Sequence, residues 1–327
     1  MQGLLSLLIF LPFVALVVLA NLGERYPWAR YTTYALLILI DLALLGSSAL
    51  TLLAAVLQVL DPETASAAGL EFDLRGLTAV LFGTGLLAAL PLIPAVRRGL
   101  ARVLPIDPAS IVHMTVLAFA VYEVGLTLGQ MSLIGDLSGL AEIGMSLTVW
   151  DVLFSGLPLL LLALAGVGLF VRRSGAQVLD RLGLSLPKRK HLLLVVVLVA
   201  LLLAFDYGVN WAWSALDPTG YESLTDVTEQ LFGGLMTVGG AIVLGLSAGI
   251  SEELLFRGAL QPKLGLLLSA ALFAVGHLQY GFTIAMFEVF VIGLVLGLVR
   301  KRANTTTAIL IHAGYNAAGV LLGLLKP

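Results

Sequence analysis

The chain has 327 residues, of which 59% are hydrophobic and only 12% are charged, and its mean hydropathy is +1.04. A soluble domain carries about a quarter charged residues, so this composition excludes a water-soluble globule. The formal net charge of −2 leaves no basic surplus for binding nucleic acid. The absence of cysteine excludes disulfides, thiolate catalysis and thiolate-bound zinc.

Apolar runs long enough to span a bilayer follow one another along the chain. The first begins at the N-terminus, which lacks the basic flank of a secretory signal, so we expect a retained span. Further runs lie near residues 33–60, 76–96, 111–133, 152–171, 192–213, 231–260, 264–277, 282–299 and 305–325. Because the runs are continuous and do not alternate, they predict an all-α, polytopic transmembrane helix bundle of about eight to ten spans.

Basic residues mark every second connection between these runs. They are Arg25 and Arg30, then Arg97, Arg98 and Arg102, then six residues between Arg172 and Lys190, then Arg300, Lys301 and Arg302. The intervening connections carry acidic residues such as Glu71, Asp136 and Glu142, with Arg75 as their only basic residue. Because Lys and Arg stay on the cytoplasmic side, the pattern predicts a multi-pass protein of the cell membrane with an external N-terminus.

The longest basic connection, residues 172–191, contains Pro187 and is the best candidate for a boundary. It predicts a group of N-terminal transmembrane helices of unknown role, residues 1–190, and a second unit, residues 191–327. No internal repeat between the two groups is evident, which disfavours a transporter because many transporters are built from repeated halves.

Ionisable residues inside the apolar runs are concentrated in the second unit, where the first pattern is Ser251-Glu252-Glu253-Leu254-Leu255-Phe256-Arg257-Gly258. On an α-helix, Glu253 and Arg257 share a face and can form an ion pair. Glu252 then points about 100° away and is left free. The alternative is a fully neutralised polar cluster with no role beyond packing. A charge at mid-bilayer is costly, which favours a functional site.

Two histidine patterns follow. Phe273 precedes His277 by four residues, and His312 precedes Asn316 by four. If the chain turns at Pro262-Lys263-Leu264-Gly265, a rise of 1.5 Å per residue places Glu252 about 15 Å and His277 about 18 Å from that turn. The same count places His312 about 12 Å and Asn316 about 18 Å from the start of the last helix. The four side chains are thus expected in one layer around a polar cavity.

Glu-Glu-x-x-x-Arg, Phe-x-x-x-His and His-x-x-x-Asn, in this order within an apolar region, resemble the CAAX prenyl endopeptidase and bacteriocin-processing family of intramembrane proteases, also called CPBP or Abi. The resemblance covers roughly residues 192–327. It implies an endopeptidase in which Glu252, assisted by His277, activates water while His312 and Asn316 donate hydrogen bonds to the oxyanion. Glu253 and Arg257 would support these groups. The same roles follow from the residue types, since a buried carboxylate can act as a base and a His/Asn face offers donors.

The family is commonly labelled as metalloproteases, so the need for a metal is open at this stage. We favour no cofactor, because the chain has no His-Glu-x-x-His pattern. Zinc is the alternative, with Glu252, His277 and His312 as a three-ligand set. If Glu252 bound zinc, Glu253 would be the next candidate for the base.

The expected partners are a membrane-associated peptide or protein substrate and the lipid bilayer, with no nucleic acid, and the expected cavity faces the cytoplasm. The oligomeric state is not predicted. Two other functions compete with proteolysis: a non-catalytic membrane scaffold or immunity protein on the same fold, and an ion-coupled transporter that relays protons through buried carboxylates. Glu288, Asp206 and Asn210 either line the same cavity or bond neighbouring helices.

Overall fold

The computed structural model describes residues 2–67, 69, 72–134, 146–277 and 280–325, with side chains described from Leu7 onward. Glu71, Asp136 and Glu142, assigned above to external connections, lie outside these residues. The helices are α1 Gln2–Gly23, α2 Pro27–Leu60, α3 Pro62–Ala67, α4 Leu74–Ala89, α5 Pro94–Leu100, α6 Ile111–Ile134, α7 Val149–Gly166, α8 Gly175–Leu182, α9 Arg189–Leu216, α10 Pro218–Phe232, α11 Val238–Glu252, α12 Gln261–Val275, α13 Ile284–Arg302 and α14 Thr305–Gly323. A π-helix, Glu253–Leu260, joins α11 to α12 and is called the π segment below.

The predicted all-α polytopic bundle is confirmed, and the described residues form no β-sheet. Six described stretches are helical, long and apolar enough to cross a membrane: Pro27–Leu60, Leu74–Leu92, Ile111–Ile134, Val149–Gly166, Arg189–Leu216 and Val238–Val275. A shorter apolar helix covers Leu7–Gly23. The predicted eight to ten spans are reached only when this helix, α13 and α14 are also counted.

The N-terminal helices pack into a layer in which α2 lies on α4, α4 lies on α6, and α1 lies on α7. Leu16, Leu37 and Met114 belong to the buried apolar cluster of this layer. Asp41 is an interhelical contact, since it accepts a 2.7 Å hydrogen bond from the Tyr122 hydroxyl on α6. Buried polar groups in this part of the molecule therefore hold helices together.

Arg97 donates four hydrogen bonds within this layer. It is buried and donates to the backbone carbonyls of Pro91, Leu92 and Pro108 and to the Tyr34 hydroxyl, at distances between 2.6 and 3.1 Å. Although Arg97 belongs to a basic connection, it fastens the α4–α6 connection to α2.

The C-terminal helices surround the π segment. α11 packs against α14 and α7, α12 packs against α13, and α9 packs against α14. A Cβ added to Gly249 of α11 would lie only 2.9 Å from both the Cβ and the backbone nitrogen of Ala313. This glycine therefore allows α11 and α14 to approach closely, just before the glutamates of α11.

The chain reverses direction at Gly265, as the Pro/Gly pattern predicts. Gly265 has φ 79° and ψ 177°, a conformation that only glycine adopts readily. As a result, the hydroxyl of Ser269 donates a 2.9 Å hydrogen bond to the carbonyl of Phe256, thirteen residues earlier. The stretch Val238–Val275 is therefore two antiparallel arms and not one long span.

Candidate active site

The first motif lies at the junction of α11 and the π segment. Glu252 is the last residue of α11, and Glu253 and Arg257 belong to the π segment. This corrects the α-helical geometry assumed from the sequence, because a π-helix bonds i to i+5 and has wider turns. Such turns are rare and are frequent at functional sites.

Glu253 is fully buried between two basic side chains. Its Oε2 atom lies 3.2 Å from Nε of Arg257, and its Oε1 atom lies 3.0 Å from Nδ1 of His312. The exposed fractions of the Glu253 and Arg257 side chains are 0% and 1%. The predicted Glu253–Arg257 pair is thus present, and Arg257 also donates from Nη2 to the carbonyl of Gly293 at 3.3 Å.

Glu252 contacts the other histidine. Its Oε2 atom lies 3.8 Å from Nε2 of His277, and both side chains are 19% exposed. Oε2 of Glu252 is buried and accepts no hydrogen bond from the described residues. Of the two adjacent glutamates, Glu253 is therefore enclosed by two basic side chains, whereas Glu252 is partly exposed beside one imidazole.

A backbone contact orients His277. Its Nδ1 atom lies 2.7 Å from the carbonyl oxygen of Phe273. A carbonyl can only accept, so Nδ1 carries a proton and donates it. In the neutral imidazole, Nε2 then presents its lone pair towards Glu252.

Phe273 is the site residue to which sequence reasoning assigned no role. Its ring centroid lies 4.2 Å from Cζ of Arg257, 4.8 Å from the ring of His277 and 5.8 Å from the ring of His312. The aromatic face stabilises the guanidinium through a cation–π contact. The spacing Phe-x-x-x-His was the available signal, because residues i and i+4 are neighbours on a helix.

The structure shows three of the four predicted site residues in two separate contacts. Glu252 meets His277, whereas His312 meets Glu253 and not Glu252. Asn316 lies one helical turn beyond His312 on α14, half-buried, and forms no hydrogen bond with the described residues. Depth counting predicted a common layer, but it carried no information on which way each side chain faces around its helix.

The arrangement does not fit a three-ligand zinc site. The described residues contain no group of three His, Asp or Glu side chains positioned to hold a metal ion. In the alternative set, His277 and His312 contact different glutamates.

A second polar group lies on α9, α13 and α14. Asp206 of α9 accepts hydrogen bonds from the Tyr315 hydroxyl at 3.3 Å and from Nδ2 of Asn210 at 3.1 Å. Glu288 of α13 is buried, and its Oε1 atom accepts no hydrogen bond from the described residues. The Asp206–Tyr315 contact joins α9 to α14, which favours a helix-bonding role for Asp206, whereas the hydrogen bonds of Asn210 to Asp206 lie within α9.

Comparison with known proteins agrees with the motifs. No curated protein and no solved structure matches the chain. The family model described as Type II CAAX prenyl endopeptidase Rce1-like matches residues 234–318, about a quarter of the chain, and this range contains all three motifs. The match agrees with the resemblance seen in the sequence, and residues 234–318 are similar to the Rce1-like Type II CAAX prenyl endopeptidases.

Proposed function

We propose that the protein is an intramembrane endopeptidase that hydrolyses peptide bonds of membrane-associated proteins or peptides. The observation that carries this proposal is the Glu252–His277 pair: a partly exposed carboxylate without a hydrogen-bond donor, 3.8 Å from an oriented imidazole. The family match to residues 234–318 supports a CAAX-protease-like fold around that pair.

In the proposed first step, Glu252 acts as the general base. A base must reach the proton it removes, directly or through one water. The 3.8 Å gap between Oε2 of Glu252 and Nε2 of His277 is too long for a direct hydrogen bond. The proposed water is held by Glu252 and His277 where these partly exposed side chains face solvent. Glu252 takes one proton from that water, the resulting hydroxide attacks the substrate carbonyl, and Glu252 returns the proton to the leaving amine.

His312 and Asn316 are the proposed donors to the oxyanion. Nδ1 of His312 faces the carboxylate of Glu253, so this nitrogen carries a proton. To donate from Nε2 as well, His312 must be an imidazolium. Arg257 and His312 would then balance the charges of Glu252 and Glu253, leaving a site with no net charge. The side-chain amide of Asn316 supplies a second donor.

Glu253, Arg257 and Phe273 are proposed to position the reacting groups. Glu253 is bonded to His312, and Phe273 contacts both histidine rings. None of the three needs to touch the substrate. They hold the imidazoles in fixed orientations, which is the condition for stabilising charge that develops during the reaction.

The proposed cavity opens towards the cytoplasm, because basic residues form the last turn of α13 and the start of α9. The division of the chain near residue 190 stays a prediction. The proposed substrates are integral or membrane-bound, and the proposed mechanism requires no cofactor.

The decisive experiment compares Glu252→Gln with Glu222→Gln, a matched change at an exposed glutamate of α10. Proteomic comparison of membrane fractions should show uncleaved proteins accumulating with Glu252→Gln only, because an amide cannot accept the proton of water. Both variants should reach the abundance of the unaltered protein. Undiminished cleavage by Glu252→Gln would reject the proposal. A cellular function that survives this change would favour the alternative function, a non-catalytic membrane scaffold or immunity protein.

A second measurement tests the metal-free mechanism. We expect the purified protein to keep its activity in excess chelator, because the donors do not form a three-ligand set. A matched sample treated with chelator and then supplied with zinc is the control. Activity that is lost in chelator and returns with zinc would contradict the metal-free proposal but not the endopeptidase itself.

A further inference from the structure

A basic cavity lies outside the candidate active site, between the end of α7 and α8. Its volume is about 690 Å³, and it is lined by Arg172, Arg173, Ala176, Gln177, Asp180 and Arg181. Arg300 and Lys263 lie close enough to interact electrostatically with Arg181. Asp180 is the only acidic residue of the lining, so the cavity attracts anions.

Each arginine of the lining is held in place by a bond to another part of the structure. Nε of Arg172 donates to Oδ1 of the buried Asn21 at 2.7 Å, and Arg173 donates to the carbonyl of Val167. Arg181 donates to the carbonyls of Gly258 and Ala259 at 2.9 and 3.3 Å. A guanidinium has five N–H donors, so these bonds fix the side chains and leave donors for a ligand.

The cations of the lining are costly to hold together. Burial lowers the pKa of Arg172 and of Arg181. Neighbouring arginines lower the pKa of Arg181 further, and at Arg172 the carboxylate of Glu24 acts against the arginines. The first turn of α8 adds the positive end of a helix dipole, since Ala176 and Gln177 belong to it. An anion in the cavity would relieve this repulsion.

The surroundings of the cavity are apolar as well as basic. Phe170, two residues before Arg172, is 86% exposed, and Leu179 of α8 and Leu186 after it are also exposed. Exposed apolar side chains next to cations are typical of a surface that inserts at the membrane interface. A free phosphate ion would use the arginines but not these side chains.

We propose that this cavity binds the phosphodiester headgroup of an anionic phospholipid. Arg172, Arg173 and Arg181 contact the phosphate, and Phe170 lies against the glycerol and the first acyl carbons. The cavity is at the same end of the helices as the basic connections, where anionic lipids attract Lys and Arg. Arg181 also bonds to the carbonyls of Gly258 and Ala259 in the π segment. The bound lipid would therefore stabilise the π segment, which follows Glu252 directly.

The test uses the purified full-length chain and measures retained lipid by native mass spectrometry. The probes are phosphatidylglycerol and phosphatidylcholine with identical acyl chains, and inorganic phosphate as competitor. We expect the protein to retain phosphatidylglycerol in preference to phosphatidylcholine. In Arg172→Gln/Arg173→Gln the retention of phosphatidylglycerol should fall about 30-fold, because each of the two lost charges contributes about 1 kcal/mol to binding an anionic lipid. Arg172→Lys/Arg173→Lys keeps the charges and should keep most of the binding.

Two further variants make the result specific. Arg98→Gln/Arg102→Gln removes two exposed charges from another basic connection and should leave retention unchanged. Asp180→Asn removes the only carboxylate of the lining and should increase retention, a gain that misfolding cannot produce. Equal retention of the two lipids, an equal loss in the Arg98/Arg102 variant, no gain with Asp180→Asn, or complete displacement by inorganic phosphate would overturn the proposal.

Discussion

Two neighbouring glutamates have opposite surroundings in this protein. Glu253 is enclosed by Arg257 and His312, whereas Glu252 is partly exposed beside His277. A buried ion pair contributes little net stability, but removing one partner leaves an uncompensated charge. The same substitution at the two positions should therefore have different consequences.

We predict that Glu253→Gln lowers the free energy of unfolding by about 3–5 kcal/mol, because Arg257 loses its buried counter-ion. Glu252→Gln is the matched control and should leave stability nearly unchanged. Thermal unfolding in detergent measures both. If the two variants melted at the same temperature, Glu253 would not be the structural member of the pair.

Sequence spacing predicted part of this arrangement. The i to i+4 rule identified the Glu253–Arg257 pair, and depth counting placed His277 level with Glu252. The partner of His312 could not be predicted, because depth does not define the direction in which a side chain leaves its helix. The contacts of Phe273 depend on how α12 packs against the π segment, which no local pattern encodes.

At the level of the elements, the site depends on how closely α11 approaches α14. Gly249 lies one turn before Glu253 and faces Ala313, the residue after His312. The membrane-spanning α-helices were predictable from the continuous apolar runs. The π segment was not, because a change from i+4 to i+5 bonding leaves the apolar pattern nearly unaltered.

We predict that Gly249→Ala reduces both activity and stability, the latter by about 1–3 kcal/mol, because its methyl group would overlap the backbone of α14. Gly239→Ala makes the same change in the same helix, where the nearest atom is 4.0 Å away. Cleavage assays and thermal unfolding compare the two variants. Equal behaviour would show that the α11–α14 distance does not control the site.

For the whole molecule, charge and hydropathy predicted the class of fold, and the three motifs predicted the similarity to the family model that matches residues 234–318. The two-armed hairpin within Val238–Val275 was visible only through its Pro/Gly turn. The packing of the N-terminal helices against α11 and the π segment was not predictable, since those helices carry no motif. Contacts between distant parts of the chain depend on complementary shapes.

The orientation of the chain in the membrane can be tested with reporter fusions. Reporter domains fused within residues 175–190 should be active only in the cytoplasm, because this connection is the most basic in the chain. Fusions near residue 217, in the acidic connection between α9 and α10, are the matched control and should report the outside. The reverse pattern would contradict the cytoplasm-facing cavity.

The reversal at Gly265 has a consequence for the bilayer itself. The returning arm is helical only over 266–275, which is about 15 Å long, or half the thickness of a hydrocarbon core. His277 follows on irregular backbone, whose polar groups are tolerated at such depth only beside protein or a water-filled space. The backbone of His277 meets this condition through protein, since its N–H donates to the carbonyl of Ala274 at 3.0 Å and its carbonyl accepts from the N–H of Tyr280 at 3.1 Å. The short arm can therefore end at this depth without leaving these backbone groups unbonded.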